Sequence, residues 1–453
     1  MHSPIEKTFR ERPDNIDEKG KRKWIKARQP KGKWYTRRTV VAIFLLVFFI
    51  VAPIIKIGGK PFMLIDVINR KFHLFGATVY SQDSEIMALL MATVVIFIVL
   101  FTSVFGRFWC GWACPHTVFM EMVYRRIEYM FHGNYQRGKR KKTPTKLSIA
   151  LKYVLFFLVT LFFTNVFIMW FTGPAQLWVI WQSPLGEYWE VYAAMAAVSG
   201  FYFWIYSYLR EGVCTMFCPY GRMQGVLLDS KSITVAYDYK RGEPRKVKGD
   251  CIDCGACIAV CPTGIDIKNG TQLECVNCTA CIDECNIVMK RIGRPKNLIR
   301  FTSKYSIETG KSSIKSVRTF AYAGVLLVLL TALVAAVSIR TEIDASLLRM
   351  PGTMFQEAAN DTISNIYRLK IVNKTDGFKK LKLKVLKPIN STFYLSEHPI
   401  HLNENGSFDG VIILKRGKAD ISAKNAAVEL GLYYNNRLLE TTTATFKAPL
   451  GEK

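Results

Sequence analysis

Apolar residues along the 453-residue chain gather in five long runs, separated by polar and mostly basic segments. The runs are Thr39–Ile57, Ile86–Phe105, Ser148–Trp170, Val191–Leu209 and Phe320–Ile339. A hydrocarbon core of roughly 30 Å needs about 20 helical residues, so each run predicts a transmembrane helix. One such run alone could be a buried core helix. Five of them with no charge at their centres predict a helical membrane bundle. The first lies behind too long a basic segment to be a cleaved signal peptide.

Beyond the fifth run the pattern changes to period two. Ile366–Val372 and Leu381–Leu386 alternate, and Val411–Leu414 and Val428–Tyr434 read the same way. Asp376-Gly377, Asn405-Gly406, Asp409-Gly410 and Asn435-Asn436 supply turn signals between them. Several short strands in about 105 residues predict an immunoglobulin-like β-sandwich. His398 and His401, near Glu397, could bind a metal there but read better as a surface loop.

Charge sets the orientation. The net charge of +27 would suit a nucleic-acid binder. The basic residues alternate with the apolar runs instead, which argues for no nucleic acid and for a lipid bilayer. Residues 1–38 hold 13 Lys and Arg, the loop 58–85 three, 106–147 nine and 171–190 none. Positive loops stay inside. The N-terminus is therefore expected in the cytoplasm and the C-terminus outside, in a bacterial inner membrane.

Five parts follow: a loose basic arm (1–38), four membrane helices (39–210), a cytoplasmic domain (211–318), a fifth helix (319–340) and a periplasmic β-domain (341–453). Trp170, Trp178, Trp181 and Trp189 read as an interfacial aromatic belt. Asn165 reads as a helix–helix contact. No His lies within a run, which argues against a transmembrane bis-histidine haem.

The chemistry lies in twelve cysteines, none of them in the predicted outer domain. Eight fall within 35 residues as two copies of C-x2-C-x2-C-x3-C. The first copy is Cys251, Cys254, Cys257 and Cys261; the second is Cys275, Cys278, Cys281 and Cys285. This is the ligand run of two-cluster ferredoxins, in which the fourth Cys of each run serves the other cluster. Cys251, Cys254, Cys257 and Cys285 are thus expected on one [4Fe–4S] cluster. Cys275, Cys278, Cys281 and Cys261 are expected on the other. A zinc site would favour two separated C-x2-C pairs. Pro262 follows the first run, but Asn286 stands where the second would have its Pro, which should weaken that turn.

The other four cysteines form two C-x3-C-P motifs, Cys110/Cys114 before Pro115 and Cys214/Cys218 before Pro219. Each follows an even-numbered run, so runs one–two and three–four look like related hairpins. Residues four apart share a helix face, so each pair could present two thiols side by side to a soft metal. The alternative is structural, a small buried hydrophobe. His116, two residues past Cys114, is a candidate further ligand or a polar interface residue.

Taken together, the paired C-x3-C-P motifs, the double ferredoxin run, the fifth helix and the outer β-domain resemble the FixG/RdxA/CcoG-type cytochrome c oxidase accessory proteins. Membrane ferredoxins of nitrate and nitrous-oxide respiration share the paired motifs but not the β-domain. The resemblance implies a membrane-bound polyferredoxin that reduces Cu(II) to Cu(I) for assembly of a haem–copper oxidase. By it, Cys110, Cys114, Cys214 and Cys218 would be the copper or redox thiols, and the eight ferredoxin cysteines would supply electrons. Oxidase subunits or copper chaperones would be the partners, with an unidentified cytoplasmic electron donor. A quinol-linked conduit to a respiratory reductase and a non-catalytic assembly factor are the other readings. The oligomeric state is left open, a homo-oligomer included.

Overall fold

The computed structural model describes residues 24–448, apart from 67–70, 75–76, 81–82, 137–138, 141–144, 185, 271, 312–316, 340, 342, 351–354, 359–360, 374–378, 388–390, 396–398, 403–405 and 419–424. The chain makes two compact units, residues 1–333 and 334–453. Along it run α1 (Lys33–Val51), α2 (Ser84–Phe105), the short α3 (Phe108–Trp112) and α4 (Pro115–Val118), and α5 (Lys146–Thr172). They are followed by α6 (Trp189–Trp204), α7 (Pro219–Leu227), α8 (Ala256–Ala259), α9 (Ala280–Arg291) and α10 (Val317–Ser338).

Among the described residues four helices, α1, α2, α5 and α10, are long and apolar enough to cross a membrane. The run Val191–Leu209 departs from expectation. Its α-helical part, α6, has 16 residues, about 24 Å at 1.5 Å per residue. From Ile205 to Leu209 the chain turns as a π-helix, and Arg210 ends it at φ 51°. The wider turn interrupts the i→i−4 ladder just where the apolar run continues, so hydropathy alone overstates the α-helix. Asn165 also differs from expectation: its Nδ2 donates to Leu161 O of its own helix at 2.7 Å.

The arm is not loose over its described part. Ala27 is buried, and Arg28 N donates to Ala259 O at 2.7 Å. α1 starts at Lys33, ahead of the apolar run, because another helix caps it. Asp283 of α9 accepts Trp34 N at 3.2 Å and Tyr35 N at 2.8 Å. A carboxylate at the positive end of a helix satisfies N–H groups that the helix itself cannot. Gly32 leaves the room for it, since a Cβ there would lie 2.3 Å from Asp283 Cγ. The first membrane helix is thereby fastened to the domain that carries the ferredoxin runs.

That domain is small. Thr234–Tyr237 pairs antiparallel with Ile299–Thr302. Val235, Ile282, Met289, Leu298 and Ile299 fill its core beside the cysteines.

Beyond the end of α10 the described residues of the second unit form a β-domain, as expected. Its strands are β1 (Ile343–Arg349), β2 (Gln356–Ala358), β3 (Thr362–Asn373), β4 (Lys379–Lys387), β5 (Thr392–Leu395), β6 (Ile400–Leu402), β7 (Ser407–Gly417), β8 (Asn425–Tyr434) and β9 (Arg437–Lys447). One sheet runs β1-β3-β7-β5, with β2 on β3, and the other runs β6-β4-β8-β9. The alternating residues Leu369, Ile371, Leu381, Ile412, Leu430 and Leu432 are buried in one core. Asn435 and Asn436 take φ 46° and 63°, the tight turn that joins β8 to β9. Asp409-Gly410 is not a turn. Both lie within β7 opposite Lys370 and Leu369, and the Phe408 ring covers Gly410, where a Cβ would meet it at 2.6 Å. His398 and Glu397 lie outside the described residues.

Candidate iron–sulfur and thiol site

The two ferredoxin runs fold alike. Asp253 and Asn277, each just before the second Cys of its run, have φ 55° and 52°. Gly255 and Thr279, just after it, have φ 70° and 67° and open α8 and α9. Alternating left-handed residues curl each loop so that its thiols face inward. Glycine takes that conformation freely. Thr279, being β-branched, is strained in it.

The loops enclose two cavities. One is lined by Cys251, Cys254, Cys257 and Cys285. The other is lined by Cys261, Cys275, Cys278 and Cys281, and also by Cys257, which borders both cavities. Each cavity thus takes its fourth thiol from the other run. Burial pushes the thiols of Cys257, Cys275 and Cys285 up to about 12 and that of Cys278 to about 11. Thiolates here need a cationic partner, which iron supplies as it displaces the protons. All eight cysteines are free of disulfides. The donor set fits one cubane cluster per cavity. Asn286 does not weaken a turn, because α9 runs on through it to Arg291 and its Oδ1 accepts Asn297 N at 2.7 Å.

The C-x3-C-P motifs also fold alike, though not as helix faces. Cys110 lies in α3 and Cys214 in a π-helical turn, Val213–Phe217. Cys114 and Cys218 are extended, at φ/ψ −60°/124° and −72°/110°, and each precedes the Pro that opens the next helix. A residue before proline is driven out of the α region, so the helix breaks between the two thiols of each pair. The Cys110, Cys114 and Cys214 thiols lie within electrostatic reach of one another. Cys218 sits at the head of α7. Among the described residues no three His, Cys, Asp or Glu side chains converge at the spacing of one metal ion. His116 Nε2 donates to Arg210 O at 2.9 Å, which leaves only Nδ1 for another partner.

Both motifs lie against the second ferredoxin run. Cys110 is buried with Val276, Cys278 and Ala280, and Cys214 packs on the same cluster. Trp112 Nε1 donates to Asn277 O at 3.3 Å. At Gly111 a Cβ would lie 2.3 Å from Val276 O, so only glycine allows this approach.

Three family models match the chain: a 4Fe-4S binding domain over residues 87–141, a 4Fe-4S dicluster domain over 209–304, and the IG-like fold at the C-terminal of FixG over 333–449. Protein RdxA of Cereibacter sphaeroides is 30% identical over 385 residues, covering 79% of this chain and 81% of RdxA. The chain belongs to the FixG/RdxA family. Protein RdxB of the same organism is 29% identical and covers 91% of this chain and 93% of its own. The nitrogen fixation protein FixG of Rhizobium meliloti is 30% identical over 62% of this chain and 58% of FixG. The chain is an iron–sulfur electron-transfer protein of this FixG/RdxA family, with membrane helices and an Ig-like C-terminal domain.

One residue with no distinguishing mark in the sequence joins the two thiol groups. Arg107 is buried, and its Nε donates to Gln224 Oε1 at 2.7 Å, which also accepts the Cys110 thiol at 3.5 Å. Burial pushes the Cys110 thiol up and that of Cys214 up to about 12, and the Arg107 guanidinium opposes both, as it does at Cys275. One cation therefore faces a C-x3-C-P thiol from each motif and a thiol of the second cavity. The signal was a lone Arg two residues after an apolar run, indistinguishable from an orientation anchor.

Proposed function

We propose that this FixG/RdxA-family protein reduces Cu(II) to Cu(I) at the Cys110/Cys114 and Cys214/Cys218 thiols and supplies it for assembly of a haem–copper oxidase. The observation that carries this is the packing of Cys110 and Cys214 on the loop Val276–Cys278, with the Arg107 cation among them. The eight ferredoxin thiols would hold two [4Fe–4S] clusters, which supply one-electron reducing power when bound. This chain's own residues do the rest. Soft thiolates favour Cu(I) over Cu(II), and two of them suffice to hold it, so a three-ligand cage is not required. Arg107 offsets the negative charge that accumulates on neighbouring thiolates. The basic loops support an orientation with the N-terminus and the ferredoxin domain in the cytoplasm and the β-domain on the periplasmic side. There its partners would be oxidase subunits or copper chaperones.

The test is anaerobic. Protein reduced with dithionite and freed of excess reductant is mixed with Cu(II), and Cu(I) is read with a chromogenic chelator. About two Cu(I) per chain are expected, one per cluster. A variant with Cys110, Cys114, Cys214 and Cys218 all changed to Ser should keep its iron and yield little Cu(I). An equal yield from that variant removes the assigned site.

A further inference from the structure

Inside the helix bundle lies a cavity of about 280 Å³, walled by α1, α5, α6 and the segments that follow Cys114 and precede Cys214. Its size is just short of the about 300 Å³ at which small-molecule pockets begin. Two features distinguish it from a packing defect.

The first is a set of parallel rings. His116 stacks on Tyr206 at 5.5 Å and 13°, and Tyr206 on Tyr124 at 4.4 Å and 13°. Tyr202 lies parallel to Tyr206 at 6.4 Å and 16°. Three π-helical segments, Phe119–Tyr124, Ile205–Leu209 and Val213–Phe217, border this set. Such turns are rare and gather at functional sites.

The second is unmet polarity in an apolar wall. Thr160 Oγ1 bonds back to Phe156 O at 2.7 Å and pairs with Tyr124 Oη at 2.7 Å. Thr164, one turn on, lines the cavity, is 2% exposed, and its Oγ1 has no partner. A buried hydroxyl without a partner is costly and points to a ligand oxygen. His116, on another wall of the cavity, donates through Nε2 to Arg210 O. The tautomer that donates from Nε2 keeps its lone pair on Nδ1, which is left as an acceptor for a ligand.

We propose that this cavity binds the headgroup of a membrane quinone in its reduced, quinol form. The flat ring lies along the stacked tyrosines, one hydroxyl oxygen accepts from Thr164 Oγ1, the other hydroxyl donates to His116 Nδ1, and the tail runs into lipid. A fatty acyl chain has no use for parallel rings or for a polar group on each of two walls. A water-soluble ligand would not suit a wall that includes Phe49, Phe163 and Phe167. The site adds a lipid-borne redox partner beside Cys114 and Cys214, whichever metal those thiols handle. It stands independently of the copper reading.

Full-length protein in lipid nanodiscs is titrated anaerobically with a short-tailed benzoquinol and a short-tailed naphthoquinol, read by tryptophan fluorescence. Saturable binding of at least one is expected, and a long-chain fatty acid should not compete. Thr164→Val should raise Kd about tenfold, the worth of one hydrogen bond, and Thr164→Ser should bind as wild type. His116→Gln should weaken binding by a similar factor, with iron content unchanged in all three variants. Absence of saturable binding overturns the proposal. So does an unchanged Kd in Thr164→Val, or fatty acid that competes as well as quinol does.

Discussion

Gly111→Ala should part the Cys110 turn from the ferredoxin loop without touching a single thiol. The added Cβ would lie 2.3 Å from Val276 O and 3.0 Å from both Asn277 C and Cys278 N. All three are backbone atoms, so no side chain can swing aside. Real Cβ contacts essentially never fall below 3.0 Å, so the two backbones must move apart by about 0.7 Å, the difference from 2.3 Å. Overpacking of this kind costs about 1–3 kcal/mol. The Trp112 Nε1 to Asn277 O bond, at 3.3 Å, opens with it and adds about 1 kcal/mol. Docking of the loop on the thiol turn should therefore weaken by about 2–4 kcal/mol, or roughly 30- to 700-fold. Hydrogen–deuterium exchange of residues 273–281 should rise, and Cu(I) yield should fall at unchanged iron content. Gly200→Ala is the control: it lies in α6 with nothing within 4 Å of its Cβ, and should be neutral or slightly stabilising. Unchanged exchange at 273–281 together with wild-type Cu(I) yield in Gly111→Ala would refute the reasoning.

Three further outcomes are expected. Cys261→Ser should perturb the cluster of the second run, and Cys285→Ser that of the first, as read by electron paramagnetic resonance of each reduced variant; perturbation within the mutated run alone would contradict the shared cavities. Arg107→Gln removes a cation facing Cys275 and should lower one midpoint potential by roughly tens of millivolts in a redox titration, while the other cluster holds its value. Asp283→Ala leaves Trp34 N and Tyr35 N without their acceptor and should cost about 1–2 kcal/mol, seen as faster exchange at residues 33–36.

Features with a local cause could be read from the residues themselves. The ferredoxin runs announced their cavities because the spacing fixes which thiols a loop can turn inward. The strands of the β-domain followed from alternation, which is a property of one strand and its two faces. What escaped depended on neighbours distant in the chain. Asp283 caps a helix 249 positions away, so the docking of the basic arm had no sequence signal. Asp409-Gly410 looks like a turn until the Phe408 ring is seen across the glycine. The C-x3-C spacing suggested a helix face, yet the proline that follows carried the opposite message, since it forces Cys114 and Cys218 into extended backbone. The shortened α6 escaped because hydropathy does not distinguish an α-turn from a π-turn.

The most direct measurement is anomalous diffraction at the iron and copper edges, on anaerobic crystals of the full chain soaked with Cu(I). Iron density is predicted in the cavity of Cys251, Cys254, Cys257 and Cys285 and in that of Cys261, Cys275, Cys278 and Cys281, with copper at the Cys110/Cys114 and Cys214/Cys218 thiols. Iron instead of copper at those thiols, or no metal there at all, would contradict the account.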